Sequence, residues 1–393
     1  MPTPTPPEWK VTLADNTIDE EEIAAVTEVL RSRWLSPGPR TRAFEQDFAT
    51  VLGCPDAVAV SSGTAALHLA VRALRIGPGD EVIMPALSFV SAAAMTVLAG
   101  GTPVFADVRS GSDPTVDPGD VRKLITPRTK AIVAMHYGGY PADLVALAGI
   151  AREHGLALIE DAAHAPIVRA PGTGMLGTIG DIGCFSFYAT KNLTTGEGGM
   201  VVAKDPVLLG QVRAARSHCL SAGTWDRDRS GRADYDVPDV GLNYRPTEIS
   251  SAIGRIQLRK LAGERRRRRA LIGRYRDRLA RIPELIVPFA DYDDDTGLHL
   301  MAVILPVRAD RDIVRARLRD AGIQTSVHYP PTHQFSYYRA RFGSDRRPLP
   351  VTDAIATRLL SLPLHARMTD DDPAFVADAL AESVLRACGR TVS

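Results

Sequence analysis

The residues best suited to chemistry fall in three short segments. The first is SSGTAAL at 61–67, directly after the apolar run Ala57–Val60. Ser61, Ser62 and Gly63 form a turn there, and a helix is expected to start near Thr64. A helix N-terminus offers unpaired N–H groups and a partial positive charge, and both favour phosphate. Gly63 lets the backbone approach closely, and the Thr64 hydroxyl adds a donor. A plain Ser/Thr helix cap would use the same residues. The second segment is IEDAAHA at 159–165, where Glu160 and Asp161 end an apolar run and His164 follows. Ligands of open α/β sheets sit just beyond the carboxyl ends of strands, and a carboxylate buried there is costly unless it meets a cation. The alternative is a capping Asp beside a packed His. The third is SFYATKNLTTGEGG at 186–199, which places Lys191 in a neutral run ahead of Gly196, Glu197, Gly198 and Gly199. An amine attacks a carbonyl only when neutral, whereas an unperturbed lysine titrates at about 10.4. Burial near other cations lowers that value. A surface lysine is the ordinary alternative.

One cofactor uses all three segments. Pyridoxal 5'-phosphate (PLP) offers a phosphate, a pyridine nitrogen and an aldehyde. The 61–67 turn would take the first, Asp161 would keep the second protonated, and Lys191 would join the third. Each pKa unit is worth about 1.4 kcal/mol, so a close Asp161 would stabilise the protonated ring by several kcal/mol.

The elements that must position these groups follow from the hydrophobic pattern. Apolar runs at Ala57–Val60, Glu81–Met84, Thr102–Val108, Lys130–Met135, Leu156–Ile159, Ile182–Phe187 and Met200–Ala203 predict strands. Helices are expected at 20–33 (capped by Asp19), 41–51, 64–74, 88–99, 117–125 and 142–154. This alternation indicates an α/β domain with a mostly parallel sheet, covered on both faces. Residues 217–240 read as a long polar loop, and 246–282 as a long helix. The tail predicts strands at Leu298–Val307 and Gln324–Val327 and helices at 310–321 and 373–388. The division expected is a Pro-rich N-terminal arm plus a large α/β domain over 1–245, then the long helix and a small α+β domain over 246–393.

Composition excludes other classes. The 393 residues carry 47 Lys+Arg against 46 Asp+Glu, which lacks the basic excess of a nucleic-acid binder. Of the basic residues 41 are Arg and 6 are Lys, so Lys191 stands out. Cys54, Cys184, Cys219 and Cys388 show no CxxC spacing, so neither a disulfide framework nor a metal site is expected. No signal-peptide pattern or membrane span is evident, and a cytoplasmic location is expected.

The sequence resembles the DegT/DnrJ/EryC1/StrS sugar aminotransferases, which are fold-type I PLP enzymes. The resemblance runs through SSGTAAL (61–67), GDEVIMPALSFV (79–90), TKAIVAMHYGGYPADL (129–144), IEDAAHA (159–165), CFSFYATKNLTTGEGGMV (184–201), LNYRPTEISSAIGRIQLRKL (242–261) and VHYPPTH (327–333). It implies a large three-layer domain with a mostly parallel sheet and a smaller α+β C-terminal domain. It implies that Lys191 is the Schiff-base lysine and that Asp161 pairs with the pyridinium nitrogen. His164 would lie near the ring hydroxyl, and Phe89 on the ring face. Ser186, Gly63 and Thr64 would hold the phosphate. Asn243 would reach the phosphate of a neighbouring subunit, in a homodimer with shared sites. His328 and Tyr329 would line the substrate pocket. The activity implied moves an amino group from an amino acid, L-glutamate, to a nucleotide-linked keto-sugar, with the cofactor cycling between PLP and its amine form PMP. A keto-cyclitol of aminocyclitol antibiotic routes is the rival acceptor. A PLP-binding regulator without turnover is the rival class. Two departures bear on the substrate pocket: Pro166, Ile167 and Val168 replace a Gly-containing turn, and Arg216-Ser217-His218-Cys219 stands where Arg-x-His-Gly is common.

Other motifs carry less. GTGMLG at 172–177 matches GxGxxG but leads into a strand-like run, against a dinucleotide site. RRRRR at 265–269 lies in a helix with its own apolar set and is expected on a solvated or inter-subunit face, some stems buried. The acidic residues at 291–295 fail the calcium-loop pattern and predict a turn. His218 beside Cys219 predicts a loop rather than a nucleophile pair.

Overall fold

The seven apolar runs between 57 and 203 come together as one sheet. The computed structural model describes residues 8–231, 234–292, 295–343 and 347–388. In chain order the strands are β1 (Val58–Val60), β2 (Glu81–Pro85), β3 (Thr102–Ala106), β4 (Thr129–Met135), β5 (Ala157–Asp161), β6 (Arg169–Ala170), β7 (Gly174–Met175), β8 (Ile182–Ser186), β9 (Gly199–Ala203), β10 (Met301–Ile304) and β11 (Leu359–Leu362). The large sheet has the order β1-β9-β8-β5-β4-β2-β3. Its strands β3, β2, β4, β5 and β8 are parallel, and β9 runs antiparallel to β8 and β1.

Alternate residues of each strand enter different cores, which makes the sheet the middle of three layers. Val82, Met84, Ala131, Val133 and Ile159 pack with Leu69, Ala93 and Val212 from the helices Gly63–Ala73, Ser91–Leu98 and Pro206–Ala215. On the opposite face Ile83, Ile132 and Leu158 meet Leu147 and Ile150 of the helix Leu144–His154. Phe185, Met200 and Val202 meet Phe44, Phe48 and Leu52 of the helix Pro39–Leu52. Full burial of such side chains contributes about 1.5–3 kcal/mol each. It favours apolar residues on both faces of the inner strands, hence the nearly continuous runs.

The helix Glu248–Leu279 links this layer system to a smaller α+β part. Leu258 and Leu261 pack beside the sheet. Leu271, Ile272, Tyr275 and Leu279 enter a second core with β10, β11 and the helices Arg311–Asp320 and Asp372–Ala387. The arginine run lies at the junction, and it grips its own chain. Arg268 is buried and donates to the Leu364 carbonyl at 2.8 Å. Arg265 binds Asp295 and the Pro166 and Ile167 carbonyls; Arg267 binds Asp370 and the Met368 carbonyl. The expectation of a solvated face is thus corrected for Arg268, which is buried, whereas Arg265 and Arg267 are half-buried. A helix crossing two cores must pass other segments, and their free carbonyls draw the guanidinium groups inward.

Other expectations shift in detail. Gln324–Val327 forms no strand; Ser326 makes an isolated bridge to Ser361, and Gln324 pairs its N–H with the Val11 carbonyl. The partner of β10 is β11 instead. The loop at 217–240 contains the short helix Thr224–Ser230. Gly174 of the GxGxxG match sits in β7 of a small β6/β7 ribbon that precedes β8. Residues 1–7 of the Pro-rich arm, and Asp293 and Asp294 of the acidic turn, lie outside the described residues. Among the described residues no helix is long and apolar enough to cross a membrane.

Candidate active site

The ends of β5 and β8 and the turn after β1 open onto one cavity of about 440 Å³. Gly63, Thr64, Phe89, Asp161, His164, Ser186, Lys191, His328 and Tyr329 all line it. Asn243 does not. It is exposed and bridges Ser217 through its backbone, next to Tyr244, whose carbonyl accepts from the Ser61 N–H.

One end of the cavity is a cluster of donors. Ser62 caps the helix Gly63–Ala73 by accepting from the Ala65 N–H, which leaves the Gly63 and Thr64 N–H groups without intrahelical partners. The Thr64 and Ser91 hydroxyls are 2.8 Å apart. Gly63 packs so closely on Ser186 that a Cβ there would lie 3.1 Å from the Ser186 Oγ. Helix end and hydroxyl therefore converge on one spot.

At the other side strand alternation separates two neighbouring carboxylates. Glu160 accepts from His136 Nε2 and from the Gly177, Ile179 and Gly180 N–H groups. Burial pushes its carboxyl up, but these hydrogen bonds outweigh burial and hold it below the usual range. Glu160 thus pins the turn before β8. Asp161 faces the cavity and accepts from the Ala163 N–H at 3.1 Å. Burial raises its pKa, against the pull of that N–H, Lys191 and His136.

Lys191 follows β8 in a turn, its N–H donating to the Tyr188 carbonyl at 2.8 Å. Removal from water lowers its ammonium pKa to about 8, although the Asp161 charge works the other way. The imidazoles nearby are neutral at neutral pH. Burial first, joined by the Lys191 charge and by neighbouring imidazoles, holds His164 and His299 well below the ordinary value; burial and the Lys191 charge hold His328 near 4. His164 Nδ1 accepts from the Gly138 N–H, so its Nε2 carries the proton and donates to the Tyr329 oxygen at 2.7 Å. Burial keeps the Tyr329 phenol protonated, with a raised pKa. Phe89 is exposed at the cavity mouth, its ring centroid 5.8 Å from that of Tyr329.

A half-buried amine and a buried acid in one cavity, beside a helix N-terminus, match what PLP requires, and sequence comparison agrees. Residues 16–381 match the DegT/DnrJ/EryC1/StrS aminotransferase family. This chain belongs to that family. It is 41% identical over 372 residues to the spore coat polysaccharide biosynthesis protein SpsC of Bacillus subtilis, covering 93% of this chain and 95% of SpsC. The aminotransferase TlmJ of Streptoalloteichus hindustanus superposes with a TM-score of 0.88 at 36% identity, covering 96% of this chain and 99% of TlmJ. The PMP form of the putative sugar aminotransferase Spr1654 of Streptococcus pneumoniae gives 0.89 at 26% identity, covering 96% and 100%.

The family's enzymes are PLP-dependent sugar aminotransferases, and this chain's residues fit the cofactor. Among the described residues the Asp161 carboxylate has one hydrogen-bond donor, from the backbone, and needs a cation. The Gly63–Ser186 approach leaves a donor-lined cradle that a larger residue at 63 would crowd.

Sequence reasoning missed His299, which is buried in the cavity wall with its ring centroid 4.4 Å from that of His164. It also missed Asn192, which holds His299 Nδ1 at 3.0 Å. His299 sits in TGLHL at 296–300, where its spacing carries no signal. Asn192 was visible only as the neighbour of Lys191.

Proposed function

We propose that this chain transfers an amino group from L-glutamate to a keto-sugar carried on a nucleotide, in amino-sugar biosynthesis, and works as a homodimer with shared sites. The observation that carries this reading is Lys191 facing Asp161 in a cavity whose other walls are mostly neutral hydrogen-bonding and aromatic groups. Lys191, Asp161 and Glu197 are its charged lining residues, and no arginine lines it among the described residues. Such walls suit a hydroxylated, uncharged ring. Glutamate as donor rests on family likeness. A TDP-sugar product is named for the structural neighbour DesI, 32% identical over 99% of this chain with a TM-score of 0.86. The dimer rests on the exposed Asn243, offered as a ligand to a partner's phosphate.

When bound, PLP supplies an aldehyde that carries the amino group and a pyridinium ring that stabilises a substrate carbanion. Asp161 would hold the proton on the pyridine nitrogen. Gly63, Thr64 and Ser186 would bind the phosphate, and Phe89 would cover the ring face. Lys191 Nζ would take the proton from the substrate carbon as base and return it as acid. A value near 8 leaves both forms available at neutral pH. His164, fixed by Gly138 and Tyr329, would set the ring-hydroxyl side. His328 and Tyr329 would meet the sugar.

The test is to supply the PLP-loaded protein with glutamate and either a TDP-linked keto-deoxyhexose or a keto-inositol. 2-Oxoglutarate and the amine product are then measured by mass spectrometry. Amine formed on the sugar nucleotide supports the proposal. Amine formed only on the inositol replaces the acceptor. No transfer from any amino acid leaves a PLP-binding protein without turnover. Lys191→Ala should lose both the visible cofactor band and activity.

A further inference from the structure

His299 is held by more contacts than packing alone would need. Its N–H donates to the Gly138 carbonyl at 2.9 Å, and the Gly297 N–H donates to the Gly139 carbonyl at 2.8 Å. The two backbones touch there, because a Cβ on Gly139 would lie 2.7 Å from the Gly297 Cα. That approach sets the His299 ring against His164.

The same contacts fix its tautomer. Asn192 Nδ2 donates to the Gly297 carbonyl, which can only accept. The amide oxygen of Asn192 therefore faces His299 Nδ1, which must carry the proton. Nε2 is then a bare acceptor on a cavity-lining ring that is 8% exposed, and among the described residues it has no hydrogen-bond partner. His164 has both nitrogens engaged. His328 Nδ1 meets the Ser361 hydroxyl, which donates or accepts, so that contact fixes no tautomer. His299 is the cavity-lining imidazole whose remaining nitrogen is set as an acceptor.

A fixed neutral acceptor asks for a donor. Around its reacting carbon an amino acid brings a carboxylate, which offers acceptors only. A keto-sugar brings a hydroxyl. We propose that His299 Nε2 accepts a hydrogen bond from the substrate hydroxyl next to the carbon that receives the amine, and so selects the acceptor substrate. This rests on the keto-sugar reading above.

The test separates the two half-reactions by following the cofactor spectrum, first with glutamate and then with a TDP-linked keto-deoxyhexose. His299→Asn keeps an N–H toward Asn192 and removes Nε2. It should slow the sugar half-reaction about ten- to a hundredfold, as expected when a site loses its partner for one hydroxyl. The glutamate half-reaction should stay within about twofold of wild type. With a sugar analogue lacking that hydroxyl, His299→Asn and wild type should run alike. His299→Gln, whose longer amide can return an acceptor near the Nε2 position, should recover part of the loss. Equal slowing of both halves would overturn the proposal, since His299 would then act through Asn192 on Lys191. Unchanged sugar turnover would overturn it too. Failure of the wild type with every keto-sugar would remove the parent reading first, before any variant is compared.

Discussion

A Cβ on Gly63 would stand 2.7 Å from the Cβ of Ser186, well inside carbon contact distance. The helix Gly63–Ala73 can bring its N-terminus to the Ser186 hydroxyl only because residue 63 has no side chain. Gly63→Ala should therefore push the two apart at a cost of about 1–3 kcal/mol. The fold should survive, and PLP affinity should fall about tenfold or more. Titration of cofactor-free protein with PLP measures this; unchanged affinity would refute the assignment of this spot to the phosphate.

Lys191 predicts a pH dependence of cofactor capture. Its amine reacts only when neutral, and its pKa lies near 8. Below that value the neutral fraction falls tenfold per pH unit; above it the fraction levels off. The rate at which cofactor-free protein captures PLP should rise about tenfold from pH 6 to 7 and flatten beyond pH 8 to 9. Because the Asp161 charge holds the ammonium up, Asp161→Asn should move the break to lower pH. Stopped-flow absorbance reads both curves, and a break that stays fixed in the variant would refute the coupling.

Asp161→Asn should also divide stability from turnover. The raised pKa shows that the ionised carboxylate is a burden to the cofactor-free fold. Asn retains an oxygen for the Ala163 N–H without the charge. The variant should melt no lower than wild type without cofactor. With PLP its glutamate half-reaction should slow about a hundredfold or more, because nothing would hold the pyridinium proton. A variant as active as wild type would remove Asp161 from the mechanism.

Much of this was legible in the sequence, and the reason is locality. Burial on both faces favours apolar residues at successive positions, so β2, β4 and β5 announce themselves. Asp161 ends a strand run, and Gly63 and Lys191 lie in the turns just after two others, where α/β sheets place ligands. What stayed hidden depends on distant partners. Asn192 meets Gly297 and His299, 105 and 107 residues away. β11 was missed because LLSL is short, and its partner β10 lies far back in the chain. Arg268 looked like surface because its acceptor is a carbonyl, which sequence does not mark.

Glu160 offers a test of the scaffold alone. Its carboxylate collects three backbone N–H groups and His136 in a fully buried place. Glu160→Ala leaves those donors without a partner and should cost about 3–5 kcal/mol. Because the turn they hold leads into β8, cofactor binding at Ser186 and Lys191 should weaken with it. The effect has a pH signature. The folded pKa of Glu160 is lowered, so its stabilisation is fully present above the unfolded carboxyl value of about 4.3. It is lost as pH falls through the folded value. The gap between wild type and Glu160→Ala in urea unfolding should therefore be largest at neutral pH and narrow as pH falls below the unfolded carboxyl value of about 4.3. A gap that stays constant with pH would mean that packing, and not the charge held by these donors, accounts for the loss.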